Sequence, residues 1–129
     1  MTGSKVVLVK AERYSAPQSD GSSRVVVCHE LKIADRYVTR LVGLLNKRRL
    51  EPGAGLLIEP CSSIHTIGMA FPIDVVTLDR DYRVLGIWKD IRPWRVKVFR
   101  GDTYRVLELG SGTLHSSNVQ IGDYLQVEV

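Results

Sequence analysis

The segment Ile64-His-Thr-Ile-Gly-Met-Ala-Phe-Pro-Ile-Asp74 sets a histidine, a hydroxyl and a carboxylate among apolar residues. Polar groups in apolar surroundings are costly unless they are paired or used. A carboxylate at Asp74 can orient the His65 imidazole and fix its tautomer, and the Thr66 hydroxyl can act as nucleophile or ligand contact. That is the logic of a hydrolytic site. The plainer reading is architectural. His65 and Thr66 then hydrogen-bond backbone at an irregular strand, and Asp74 pins the Phe71-Pro72 bend. Glu108, set between Leu107 and Leu109, needs a cation if it faces the apolar side, and Arg40 is the expected cation, pairing architecturally with Glu108 or with Asp74. Arg40, His65, Thr66, Asp74 and Glu108 together make the candidate pocket.

Other residues carry weaker chemistry. Cys28, His29, Cys61, His65 and His115 are all metal-capable, but Cys61 to His65 is one loose pair with no second close pair. Zinc sites use two such pairs, so no metal is expected. The chain lacks a Gly-Lys-Ser/Thr phosphate loop, and no cofactor is expected. Gly110-Ser111-Gly112-Thr113 reads as a flexible connection rather than an anion cradle. Arg92, Arg95, Lys97 and Arg100, interleaved with Trp94 and Phe99, have the composition of a nucleic-acid surface. The alternation instead predicts Trp94, Val96 and Val98 facing the core and the cations facing water, so nucleic acid is disfavoured as a partner.

Composition bounds the class. The chain has 129 residues, 44% hydrophobic and 25% charged, with a formal net charge of +4. One globular domain with a single real core follows. Two cysteines are too few for a disulfide scaffold. Residues 1–10 are too short and too charged for a signal peptide, and no apolar run approaches a membrane span. A cytoplasmic location is expected.

The elements that position these residues are mostly strands. Lys5–Lys10 is a candidate edge strand, and Ser15–Ser23 has the composition of a flexible linker. Residues 1–22 are therefore expected to be dispensable unless that strand pairs, with residues 23–129 as the compact β-rich domain. Arg24–Leu31 alternates as a strand. One helix is expected from Asp35, with Val38, Leu41, Val42 and Leu45 on one face and Lys47, Arg48 and Arg49 at the negative end of its dipole. Further strands are predicted at 55–59, 73–79, 83–89, 94–98, 103–109 and 124–129. The 83–89 strand is apolar on both faces and is expected to be central. The fold class is mainly β: a small sandwich or distorted barrel with one main helix packed on it.

Four blocks, in order and with their spacings, carry a family resemblance. They are Thr39-Arg40-Leu41-Val42-Gly43-Leu44-Leu45 with Gly53-Ala54-Gly55-Leu56-Leu57, then Ile64-His65-Thr66 through Met69 to Pro72-Ile73-Asp74-Val75-Val76, then Val106-Leu107-Glu108-Leu109-Gly110, then Gly122-Asp123. The chain resembles the family known as domain of unknown function 192, also uncharacterised protein family 127. It carries a His-Thr and Gly-Met variant of the second block. The resemblance implies a small, mostly β fold of jelly-roll-like type and no established activity.

The leading functional expectation is a non-catalytic module that binds a small molecule or a protein. The alternatives are a hydrolase-like enzyme using His65 and Asp74, and a weak nucleic-acid accessory. The helix expectation has its own test: Leu41→Ala should cost ~2–4 kcal/mol in chemical denaturation, whereas Arg36→Ala on the far side should cost less than ~0.5 kcal/mol. Equal losses would mean that the wrong face was chosen.

Overall fold

The structure is a computed structural model and describes residues 4–9, 25–34, 50 and 53–128. The expected helix at 35–49, and Arg40 with it, lies outside the described residues. Among the described residues the chain forms nine strands and one short helix, and the protein is mainly β as expected. The strands are β1 (Ser4–Val9), β2 (Val25–Ala34), β3 (Ala54–Ile58), β4 (Ser63–His65), β5 (Ile73–Leu78), β6 (Val84–Ile91), β7 (Val96–Val98), β8 (Arg105–Gly110) and β9 (Tyr124–Glu128). Helix α1 covers Thr113–Ser117.

Seven strands make one sheet in the order β6-β5-β8-β3-β2-β1-β9, and β4 pairs with β7 in a separate two-stranded ribbon. Within the large sheet only β2 and β3 run parallel. The sheet rolls until its two edge strands touch. Arg83 bridges Tyr124, supported by the hydrogen bonds Val84 N–H to Asp123 O (2.7 Å) and Leu125 N–H to Tyr82 O (3.0 Å). Contact is confined to this one end, so the barrel does not close.

The central strands bury both faces, as β5 shows by having every residue from Ile73 to Leu78 buried. Each face therefore carries its own apolar cluster. Val76, Leu78, Leu107, Leu109, Leu57 and Leu125 pack on the concave side, closed by Leu114 of α1 and Val119. Ile73, Val75, Val106, Leu56 and Ile58 pack on the other side, closed by Ile64, Met69, Phe71 and Phe99 from the β4–β7 ribbon and its approaches. β5 and β8 supply both clusters from alternate residues, which follows from the period of two.

Two expectations about strand position are corrected. β6 is apolar on both faces because each face meets one of the two clusters, yet it lies at the edge of the sheet. Register shifts against β5 bend it, and such irregularities blunt an edge against pairing with another chain. One shift follows a glycine with a packing role. A Cβ on Gly86 would stand 2.3 Å from the Trp88 ring, which lies over it and meets Phe99 at a centroid distance of 4.8 Å. Conversely, the expected edge strand near the start of the chain is an inner one: β1 pairs antiparallel with β2 on one side and with β9 on the other.

The turn expected at Asp79–Tyr82 forms around the Asp79 carboxylate, which accepts from the N–H of Asp81 (2.8 Å) and of Arg83 (2.9 Å). Arg105 on β8 secures it from the side. Its guanidinium donates to the carbonyls of Asp79 (2.9 Å) and Arg80 (2.8 Å), pairs with Glu59, and lies 3.8 Å over the Tyr82 ring.

Because β1 pairs on both sides, a chain that begins at Ser23 should lose more than ~3 kcal/mol, on the scale of deleting well-buried side chains. Urea unfolding of the shortened chain checks this. A cooperative transition at the parent midpoint would show that β1 adds nothing to the sheet.

Candidate functional site

The segment that drew attention in the sequence is split between the two faces of the sheet. Ile64 and His65 belong to β4, in the ribbon that covers the second cluster. Asp74, second residue of β5, alternates with Ile73 and Val75 and so points to the opposite face, where α1 lies. The sheet itself stands between His65 and Asp74.

Asp74 is fully buried, and its carboxylate is taken up by backbone. Oδ1 accepts from Asp90 N–H (2.9 Å), and Oδ2 accepts from Gly112 N–H (3.1 Å) and Leu114 N–H (2.9 Å). This explains the short helix, which the polar, turn-rich sequence from Gly110 to Asn118 did not reveal. Helix α1 has no side-chain cap of its own, and Gly112 precedes it at φ 93°. The N–H groups of a first turn need acceptors. Here the acceptor comes from β5, thirty-eight and forty residues away. The same carboxylate holds Asp90, whose φ of 54° marks the irregularity in β6.

Thr66 plays the corresponding part on the other face. It is fully buried. Its hydroxyl donates to Arg92 O (2.7 Å) and accepts from Arg95 N–H (2.9 Å). Its backbone adds Thr66 N–H to Arg95 O (2.8 Å) and Trp94 N–H to Thr66 O (2.9 Å). One threonine thus locks the loop that leads into β7. Glu108 is buried on the second face, between Leu56 of β3 and Val75 of β5 in register. The pairing expected of Arg40 with Glu108 or Asp74 falls on a residue outside the described ones. Cys28 and Cys61 are not bridged.

The basic segment corrects the sequence reading most clearly. Trp94 is 66% exposed, Val96 65% and Val98 81%, whereas Phe99 is buried. The parity of β7 is set by Phe99, which seats against Trp88 and takes the inward side together with Lys97. Val96 and Val98 must then point outward. Trp94 is turned out by a positive φ of 64°. Ile67, 42% exposed in the turn after β4, follows Thr66, whose backbone bonds that of Trp94 and Arg95. In the ribbon register His65 stands opposite Val96 and Ser63 opposite Val98, so these side chains share the outward side. A cleft of ≈330 Å³ opens next to Ser63, lined by Pro60, Cys61, Ser62, Thr103 and Tyr104. Among the described residues no group of three or more His, Cys, Asp and Glu is placed to hold a metal.

These features define a class: a small β domain with one rolled sheet, a core on each side, and a ribbon whose outer side is apolar. The family model DUF192, "Uncharacterized ACR", matches residues 18–127. The chain belongs to this family. A UPF0127 protein of Thermococcus sibiricus is 34% identical over 107 residues, covering 77% of this chain and 66% of that protein, so the chain spans just under two thirds of that relative's length. The UPF0127 protein PH1112 of Pyrococcus horikoshii is 30% identical over 102 residues, covering 75% of this chain and 86% of its own.

Two crystal structures share the fold at 20% identity. One is a protein of unknown function from Novosphingobium aromaticivorans, with a TM-score of 0.72 over 95% of this chain and 83% of that one. The other is described as a putative transcription regulator from Sinorhizobium meliloti, with a TM-score of 0.73 over 98% of this chain and 95% of that one.

Asp74→Asn presents an NH2 group to backbone donors and should cost at least ~2 kcal/mol, since buried donors are left unsatisfied. Thr66→Val keeps the shape, loses both hydroxyl bonds, and should cost ~1–3 kcal/mol by the same rule. Thermal and urea melts read both losses. Unchanged melts would mean that neither polar group holds the fold.

Proposed function

We propose that the chain is a non-catalytic binding module that works in the cytoplasm and meets its partner through the outward side of the β4–β7 ribbon. The observation that carries this reading is the row of exposed large apolar side chains at Trp94, Val96 and Val98, with Ile67 exposed in the turn after β4. Scattered exposed apolar residues are ordinary, but a contiguous group marks a contact surface. His65, from the candidate pocket, belongs to this side through its pairing with Val96. Thr66, Asp74 and Glu108 are the fully buried members of that set, and Thr66 supports the surface from within through its bonds to Arg92 and Arg95.

The hydrolase-like alternative has less support. It needs the Asp74 carboxylate beside an imidazole, and both of its oxygens are engaged by backbone N–H groups. Residues that serve binding rather than packing add little to stability and often reduce it. The variant W94S/V96S/V98S should therefore melt within ~3 °C of the parent chain or above it, a shift below that of 1 kcal/mol in a domain of this size. A drop of ~8 °C or more would make the row structural and remove the basis for the reading.

A further inference from the structure

The ribbon and its loops have an unusual charge pattern. Residues 61–70 and 92–101 contain Arg92, Arg95, Lys97 and Arg100 and no Asp or Glu, in a chain with 14 acidic residues. Arg100 is held by Asp102 at 2.7 Å. Arg92, Arg95 and Lys97 form no ion pair among the described residues. Arg92 and Arg95 are exposed, and Lys97 is half-buried on the inward side, opposite Ile64. The apolar row of Trp94, Val96 and Val98 is therefore accompanied by two exposed cations, Arg92 and Arg95, that form no ion pair among the described residues.

Three kinds of partner can meet such a surface. A second copy of this chain would bring two cationic faces together, and like charges oppose that contact. Single-stranded nucleic acid would answer the charge, but it gains affinity by stacking bases on aromatic rings. Here Trp94 is the exposed ring, and Val96 and Val98 offer no stacking face. An anionic lipid surface answers both features. Tryptophan settles at the headgroup level and valine and isoleucine enter the acyl boundary, while arginine meets the anionic headgroups. The row also projects outward instead of lining a groove, and a fluid boundary needs no complementary shape.

Resting on the ribbon as contact face, we infer that its outward side docks reversibly on an anionic lipid surface, with Trp94, Val96, Val98 and Ile67 at the headgroup boundary and Arg92 and Arg95 against the lipid anions. The chain lies on the surface and does not span it; among the described residues no helix is long and apolar enough to cross a membrane. Two weak contributions are combined, short apolar insertion and charge, and surface anchoring generally takes two such signals.

Co-sedimentation of the full chain with vesicles tests this. Vesicles of phosphatidylcholine with about 30% phosphatidylserine should bind at least ~10-fold more tightly than pure phosphatidylcholine, with added salt weakening the difference. W94S/V96S/V98S should lose at least ~10-fold on the anionic vesicles, and R92Q/R95Q should lose the preference for them. Tryptophan emission should shift to the blue on binding in the parent chain. Equal or absent binding to both vesicle types overturns the inference. So does tighter binding to a single-stranded oligonucleotide at physiological salt that is lost in R92Q/R95Q, which would assign the surface to nucleic acid. If vesicles fail while W94S/V96S/V98S keeps the parent melting temperature, lipid docking is overturned and the contact face stands. If that melting temperature collapses, both fall.

Discussion

A sheet whose central strands are apolar on both faces has to be covered twice, and the rest of this molecule follows from that requirement. β5 leaves no residue exposed, and β8 sends Val106 to one cluster and Leu107 and Leu109 to the other. Rolling the sheet covers its concave face, with α1 as a plug. The convex face receives the β4–β7 ribbon. At ~25 cal/mol per Å² of apolar surface, leaving either side open would outweigh the modest net stability of a domain this size. The consequence for function is geometric. A ribbon only one layer thick, with Ile64 and Phe99 turned inward, must present its alternate residues to whatever lies outside.

Each cover is fastened by one buried polar side chain that grips backbone. Thr66 holds the chain entering β7, and Asp74 holds the start of α1 and the bend of β6. Such bonds are directional in a way that apolar contacts are not, so they fix where a cover sits as well as whether it stays. The two residues looked like a site in the sequence because they are polar and sit in apolar surroundings. A buried fastener and a catalytic group share that signature, and partners drawn from remote backbone leave no mark on local spacing.

The same distinction explains what was legible. The positions of β3, β5, β6, β8 and β9 could be read from alternation, and the Asp79 turn from its residues, because these are local signals. The four family blocks gave the fold class. The parity of β7 was misread because alternating Trp94, Val96 and Val98 offer a more regular apolar face than Phe99 does; tertiary contact with Trp88 decided the matter. α1 was missed because its cap comes from a distant strand. The inner place of β1 and the edge place of β6 depend on strand order, which no single-strand pattern encodes. The expected pocket was a poorer guide than the fold: Asp74 and His65 are near in sequence but lie on different faces.

The placing of β1 has a consequence for how the chain comes to be made. Lys5 pairs with Glu128 and Val9 with Tyr124. On the ribosome, then, one side of β1 stays an open edge until residues 124–128 have emerged, and an open edge is a template for wrong pairing. Contacts this distant also form late, after the shorter loops have closed. The order of synthesis thus exposes one of the earliest strands for longest, and the window closes only when β9 arrives.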